Sequence, residues 1–574
     1  MNLTPEEKAV GRENFQAAIG SEYTRRDFLK AAACAGVVSG GGLGAFYYGY
    51  GKSVNDPVRV GVMGTGDEGS VLIGAINPEY IQVKSIADIR PYNQFRAFHG
   101  DSYSATAKKV RPGLMKKYGW ETEDAAKKEV KVYGDYREMI ANAKADGLEA
   151  VIIALPLHLH APAAIAAMQA GLHVLTEKLM GQTVHACKEM SRVADQTGLY
   201  LATGHQRHYN VLYANAVELI NKGVLGDLHY IRAQWHRGNM PGKDSWQQPL
   251  PKSVKPTDLQ AGSLEKKLDS WTKKLNAAKK ASKVNEKRVC ELTHLVNQVT
   301  AQIADEKIKD KVKEYGYEDR LGDGVYDRPA IEELIRWRLW ERTGGGLMAE
   351  LGSHQLDAAG IFITAAHRAV NPDAPKQHPL SVVAYGNRPV FPADRDCDDH
   401  VYCMFEYEAP GYDAKDPNKD KKKIGVQYST INGNGFGGYG EVVMGTQATL
   451  IIEKEQDTQL FKSGSKSKVS VKEDMGLDTQ ESGDAVAVGK AAVQDVSRGY
   501  TEEEEHWAWC IRNQSPENKP NCYPKVALAD AVIALTTNLA AREGKRIDFK
   551  EEWFDINSDE TPEGIKPDLN RYKS

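Results

Sequence analysis

Glu350, His354 and Asp357 follow a glycine run at intervals of four and three residues, in Thr343-Gly-Gly-Gly-Leu-Met-Ala-Glu350-Leu-Gly-Ser-His354-Gln-Leu-Asp357. On a helix this spacing puts the three polar groups on one face. A histidine, with an ordinary pKa of about 6.5, suits the removal of a proton from a substrate hydroxyl. Glu350 beside it would hold the imidazole or a second hydroxyl. The same spacing also describes a helix with a satisfied polar edge, so its meaning depends on what faces it. His354 and Asp357 have two donors in reach of a metal, but no third stands at a typical ligand spacing, and no metal is expected.

The element that would face it begins at Val58-Arg-Val-Gly-Val-Met-Gly64-Thr65-Gly66-Asp-Glu-Gly69. An apolar strand breaks into G-x-G-x-x-G and then a helix. Gly64 allows a tight turn, Gly66 lets backbone approach a pyrophosphate, and Gly69 packs the helix against the strand. The free N–H groups of that helix favour phosphate. Ile81–Asp88 reads as a second strand, ending in an acid 24 residues after Gly64. Such a carboxylate accepts the adenosine ribose hydroxyls and repels a 2′-phosphate, which favours NAD over NADP; Arg90 close by keeps NADP open. Further strands are read at Val130–Tyr133, Ala150–Leu155 and His173–Thr176, with helices between them. This alternation predicts a parallel doubly wound sheet with right-handed crossovers. Its loops, Leu155-Pro156 and Glu177-Lys178 among them, converge on one crevice.

The motifs Asp88-Ile-Arg90, Pro156-x-x-x-His160, Glu177-Lys178 and Gly204-His-Gln206-Arg207 stand in order, each just past a strand. Together they resemble the glucose–fructose oxidoreductase / inositol dehydrogenase / rhizopine-catabolism (Gfo/Idh/MocA) family. The resemblance covers most of residues 57–550. It implies a Rossmann domain followed by an α+β domain with a large, mostly antiparallel open sheet, a bound nicotinamide dinucleotide, and oxidation of a secondary hydroxyl on a sugar, polyol or glycoside. It places Gly64, Thr65, Gly66, Gly69, Asp88, Arg90, Leu155, Pro156, His160, Glu177, Lys178 and Gln206 against the cofactor. Lys178, His354 and Glu350 then form the catalytic set, with Lys178 stabilising an alkoxide-like transition state. The chain departs from the family in Leu179, where Glu-Lys-Pro is usual, and in Glu350, where aspartate is usual. Rings stack on sugar faces and charged donors read hydroxyls, so Arg207, Tyr209, His236, Trp340 and Asp357 are candidate substrate contacts, with Trp246 and Arg338 near them. The other reading of the same scaffold is a binding protein for carbohydrate or nucleotide without catalysis.

After Gly226, strands follow one another with few helices between, as an antiparallel sheet requires. Residues 252–325 interrupt them. Leu264, Leu268, Trp271, Leu275 and Ala278, then Leu292, Val296, Val299 and Ile303, predict a helical hairpin with a coiled-coil-like seam. It reads as a spacer arm, a subunit clamp or a lid. The run Glu502–Glu505 reads as the solvated face of a helix. The division expected is 1–56 signal and linker, 57–180 nucleotide domain, 181–550 substrate and oligomerisation domain, and 551–574 tail.

The chain has 574 residues, 41% hydrophobic and 26% charged, with net charge -4. That balance is ordinary for a globular protein and lacks the basic excess of a nucleic-acid binder. Seven scattered cysteines form no CxxC motif, and a Cys397–Cys403 or Cys510–Cys522 disulfide would require an oxidising compartment. Thr24-Arg25-Arg26-Asp-Phe-Leu-Lys30, followed by a weakly apolar stretch to Tyr50, resembles a twin-arginine export signal. The expectations are export by the twin-arginine machinery to the periplasm, with the segment removed late or kept as a tether, and a homo-oligomer acting on a small carbohydrate. Free NAD is scarce outside the cytoplasm, so a tightly held cofactor and redox-neutral turnover, as in a glycosidase or epimerase, fit that location.

Overall fold

The structure, a computed structural model, describes residues 3–22, 41–51, 53–322, 324, 326–464, 470–471, 477–478 and 498–572. The arginine pair and most of the expected loop over 463–484 lie outside the described residues. Val58–Met63 (β1), Ile81–Ala87 (β2), Lys131–Tyr133 (β3), Ala150–Ile153 (β4), His173–Glu177 (β5) and Leu201–Gly204 (β6) form a parallel sheet in the order β3-β2-β1-β4-β5-β6. The apolar runs of β1, β4 and β5 are buried because helices cover both faces. The strand order reverses between β1 and β4, which opens a crevice beyond their C-terminal ends. The sixth strand carries this unit to Gly204, past the boundary expected at residue 180.

The second sheet is built from Leu228–His236 (β7), Pro379–Asn387 (β8), His400–Glu408 (β9), Lys423–Ile431 (β10), Tyr439–Gly445 (β11), Ala448–Glu453 (β12) and Asp457–Lys462 (β13). After a two-residue pair, Ser470–Val471 (β14) and Leu477–Asp478 (β15), the strand Ile547–Asp548 (β16) completes it. The order is β13-β12-β11-β7-β10-β9-β8-β16, antiparallel throughout except between β7 and β10. Ile424, Val426 and Tyr428 of β10 and Val401, Cys403, Phe405 and Tyr407 of β9 point inward at every second position. They meet the helices Val211–Asn221 and Ser353–Val370 in one core.

Four segments differ from their expected roles. Residues 3–22, expected to be part of a signal and linker, contain a docked helix, Pro5–Glu22. Thr4 and Glu7 form a capping box, with Glu7 N donating to Thr4 Oγ1 at 3.1 Å and Thr4 N donating to Glu7 Oε2 at 2.8 Å. The helix covers the edge strand β13, where Asn14 donates to the Leu460 carbonyl and Phe15, Ala18 and Ile19 are buried in the second domain's core. Phe15→Ala should therefore cost about 3 kcal/mol, read as a lowered denaturation midpoint with an unchanged nucleotide site.

The glutamates 502–505 are buried, because their helix, Tyr500–Arg512, packs against the parallel sheet. Glu505 accepts from Tyr50 Oη and Asn77 Nδ2, each at 2.7 Å, while burial pushes the Glu503 and Glu504 carboxyls well up. The last segment, rather than trailing as a tail, wraps the helix Val184–Thr197. There Lys188 Nζ donates to the carbonyls of Glu552, Ser558 and Glu560. The six cysteines among the described residues are free thiols. Among the described residues, no helix is long and apolar enough to cross a membrane.

Residues 252–325 do form the hairpin, Ser263–Lys279 against Glu286–Ile303. It does not stand free. It lies along the helix Pro91–His99, where Gln298 Nε2 donates to Asp101 Oδ1 at 2.9 Å and its Oε1 accepts from Ser102 N at 2.8 Å.

Candidate active site

Two adjoining cavities open from the crevice and share Gly66, Asp67, Ala154, Leu155, Trp337 and Arg338. One runs over the glycine turn toward Asp88 and Arg90. The other runs between the domains toward Lys178 and His354.

The glycine turn fits a dinucleotide. Gly64 has φ +83°, and a Cβ there would stand 2.4 Å from the Ala154 carbonyl oxygen. A Cβ on Gly69 would meet the Gly64 carbonyl oxygen at 2.0 Å. At Gly66 the space is open, with Asn93 Nδ2 at 3.6 Å, so of these three glycines it is the one where a phosphate can approach bare backbone. Asp88 fastens this turn. Its carboxylate accepts from Thr65 N at 2.8 Å, Arg90 N at 2.9 Å and Asn93 Nδ2 at 3.1 Å. Asp67 and Glu68 open the following helix, whose dipole favours acids there. Burial opposes the Asp67 charge, but Arg96, at 2.6 Å, and Arg111 outweigh it and hold the carboxyl well below the carboxylate range.

His160 links two loops of the crevice. Its ring nitrogens lie 2.8 Å from the Leu155 and Leu179 carbonyl oxygens. The Lys178–Leu179 peptide is cis, with leucine where the family pattern has proline. Glu177 Oε2 accepts from Lys178 N at 3.0 Å, and its other oxygen is buried without a hydrogen-bond partner among the described residues. Burial, and then the Glu68 charge, push the Glu177 carboxyl up, above the ordinary carboxylate range.

Lys178, Glu350 and His354 all line the inner cavity. Lys178 Nζ donates to the Glu350 carbonyl oxygen at 2.7 Å. Glu350 Oε1 accepts from Arg338 Nε at 2.8 Å. Burial opposes its charge, but Arg338 and Lys178 prevail and hold the carboxyl at about 2. For His354, burial is the main cause, followed by the charges of Lys178 and Arg207. Together they keep the imidazole well below its ordinary pKa and therefore neutral. A neutral ring accepts a proton. It follows that kcat/KM should show no acid limb near pH 6.5. As pH falls, the base should be lost only well below that value, which a pH profile of kcat/KM measures.

The expected single face of Glu350, His354 and Asp357 divides. Met348–Gly352 is a π-turn ahead of the α-helix Ser353–Val370. Its wider turn rotates Glu350 away from Asp357. Asp357 instead accepts from His208 at 2.9 Å and from Lys376 Nζ at 3.1 Å, outside the cavity. Lys376 also donates to Asp530 at 2.6 Å, so an ammonium already supplies the positive charge between these acids.

Several candidate substrate contacts do not reach the cavity. Trp340 is fully buried against Arg328 and Tyr326, because it belongs to the packed base of the insertion. Tyr209 is buried and accepts from Asn521 N at 2.7 Å beside His506. His236 ends β7 away from the lining, and Arg207 lies beneath it, paired with Glu455 at 2.7 Å. Gln206 does line it. The aromatic wall is made by Trp235 and Tyr439, a cross-strand pair of β7 and β11 stacked at 4.3 Å, with Trp337 and Tyr500. Arg338, Arg237 and Arg498 are the cations beside it. The alternation in β7 marks Trp235 as half-buried, but only register reveals its partner 204 positions later.

A parallel sheet in this order and a bare glycine turn form a crevice suited to a nucleotide, and the cavity that adjoins it holds a histidine and a lysine. Residues 58–205 match the Gfo/Idh/MocA family, described as "Oxidoreductase family, NAD-binding Rossmann fold", and the parallel-sheet domain is such a fold. Over 102 residues the chain is 35% identical to the 1-carboxy-3-chloro-3,4-dihydroxycyclohexa-1,5-diene dehydrogenase of Comamonas testosteroni, covering 18% of this chain and 25% of that protein. Over 214 residues it is 26% identical to a glycosyl hydrolase family 109 protein of Solibacter usitatus, covering 36% of this chain and 44% of that one. The chain thus spans less than half the length of these relatives. The WlbA dehydrogenase of Chromobacterium violaceum, solved with NADH and UDP-GlcNAcA, superposes over 87% of this chain and 98% of its own with a TM-score of 0.50 at 12% identity. That likeness establishes the shared fold.

Proposed function

We propose that the whole chain is an NAD-dependent oxidoreductase of the Gfo/Idh/MocA family that acts on a secondary hydroxyl of a sugar, polyol or glycoside. The observation that carries this reading is the meeting of Lys178, the neutral His354 and the charged Glu350 in a cavity continuous with the glycine turn. Bound NAD supplies the hydride acceptor, and Gly64–Gly69, Glu177 and Gln206 are placed to hold it. Lys178 donates to the substrate oxygen as negative charge develops there. His354 takes the hydroxyl proton. Glu350, anchored by Arg338, accepts from a neighbouring hydroxyl, and Trp235 with Tyr439 offers a sugar ring a flat apolar face.

A second reading keeps the same first step and makes turnover redox-neutral, with elimination or epimerisation before the hydride returns. It is supported by the name of the Solibacter relative and by the Thr24–Lys30 pattern, from which we propose twin-arginine export of the folded protein. A self-associating outer sheet face carrying Tyr385, Tyr402 and Met404, all exposed, also belongs to this proposal.

The test is to denature purified protein and identify the released nucleotide, then to assay a panel of sugars, polyols and glycosides with and without added NAD. Stoichiometric NAD or NADH and substrate-dependent NADH formation are expected. Turnover without added NAD and without net NADH selects the redox-neutral reading. Protein that neither carries nor takes up nucleotide overturns both and leaves a binding protein.

A further inference from the structure

The insertion at 252–325 has no part in the chemistry described above, yet its far end reaches the cofactor cleft. Tyr315 and Tyr317 line the outer cavity, opposite Arg90, Tyr136 and Arg137. Arg137 stands over the Tyr136 ring at 5.6 Å and the Tyr315 ring at 6.0 Å. Between the hairpin and these tyrosines lies Asp305, fully buried. Its Oδ2 accepts from Arg90 Nε at 2.9 Å, and its Oδ1 accepts from Tyr92 N at 3.0 Å. Arg90 Nη2 donates to Gln248 Oε1 at 3.3 Å.

Arg90 is therefore not the free cation that the sequence shows two residues after Asp88. It stands where the cofactor's adenosine ribose is chosen, the place where an arginine ordinarily receives a 2′-phosphate. Here two partners hold it, one of them an acid carried by the insertion. A 2′-phosphate would have to compete with Asp305 for Arg90 and stand near both Asp88 and Asp305, with a Coulomb cost at residues that are themselves buried. The ribose hydroxyls of NAD carry no such charge.

We propose that the insertion is a cofactor selector and cap: Asp305 withholds Arg90 from a 2′-phosphate, and Tyr315 and Tyr317 close the adenosine end so that NAD leaves slowly. The proposal rests on the NAD reading of the cleft. It explains why a hairpin with no catalytic group is packed so fully onto the nucleotide domain through Gln298, Gln302 and Asp305. It also connects the retained cofactor to a particular part of the chain.

The test uses full-length protein stripped of nucleotide, with NADH and NADPH binding followed by fluorescence and without any assay of turnover. Wild type is expected to bind NADH more tightly than NADPH. Asp305→Asn keeps an acceptor for Tyr92 N and removes the countercharge that faces Arg90. It should improve NADPH affinity about tenfold, as expected for one freed charge-assisted hydrogen bond, with NADH within about threefold. Adding Arg90→Ala to that variant should abolish the gain. Tyr315→Ala, at a half-buried position, with folding confirmed by circular dichroism, should speed NADH release about tenfold. If wild type binds NADH but neither the NADPH/NADH ratio nor the release rate changes in these variants, the selector and cap are wrong while the NAD site stands. If wild type binds neither nucleotide, the NAD reading itself fails.

Discussion

Lys178→Ala should lower kcat/KM on the best substrate by about 10²- to 10³-fold while bound NADH stays within about threefold of wild type. Lys178 Nζ donates to the Glu350 carbonyl oxygen, and the residue lines the cavity. A group of this kind acts on charge that develops during reaction, so its removal affects kcat more than binding. Lys178→Arg should restore little, because a planar fork cannot occupy the position of a compact ammonium. His354→Ala should cost about 10²- to 10⁴-fold by removing the base. The double variant should lose far less than the product of the two, since both groups serve one transition state. Steady-state kinetics with NADH titration checks each. Unchanged kcat/KM in both single variants would remove the proposed catalytic set.

Gly64→Val should abolish nucleotide binding, weakening NADH by about 100-fold or more. The side chain faces two obstacles at once. The position has φ +83°, where a β-branched residue is strained, and its Cβ would stand 2.4 Å from the Ala154 carbonyl oxygen, which is backbone and cannot swing aside. Relief would require the β1 turn to part from β4, the place where the strand order reverses. Gly119→Val is the control. Its φ is +73°, but nothing lies within 4 Å of its Cβ, so it carries the backbone strain without the collision. Nucleotide binding should survive there, with only stability reduced. Isothermal titration of both variants, with circular dichroism to confirm folding, separates the two effects.

The parts legible in the sequence were those encoded locally. A strand, a glycine turn and an acid fix the first crossover within about 30 residues, and an apolar run followed by Pro156 or Glu177-Lys178 marks each further loop of the crevice. The i, i+4 spacing of Glu350 and His354 survived a π-turn because both still reach the cavity, whereas Asp357, one turn on, did not. What stayed hidden depended on distant partners. Trp235 meets Tyr439 only through the register of β7 and β11. Trp340 looked like a sugar platform by type, but it fills the base of an insertion whose packing no periodicity describes. Glu502–Glu505 looked solvated by composition, and their burial depends on Tyr50 and Asn77, more than 400 positions earlier. The helix Pro5–Glu22 did carry a local signal, the Thr4–Glu7 capping box, although nothing nearby indicated which surface it covers.

That helix also imposes a timetable. It is made long before its partner strand, for Asn14 bonds the carbonyl of Leu460, 446 positions later. At about 5–20 residues per second, the ribosome needs roughly 20–90 s to deliver the strand that buries Phe15 and Ile19. Throughout that interval the apolar stripe is available to whatever waits at the tunnel exit. The arginine pair that follows it in sequence emerges within the first seconds of the same wait, long before the chain has a finished surface on which to settle.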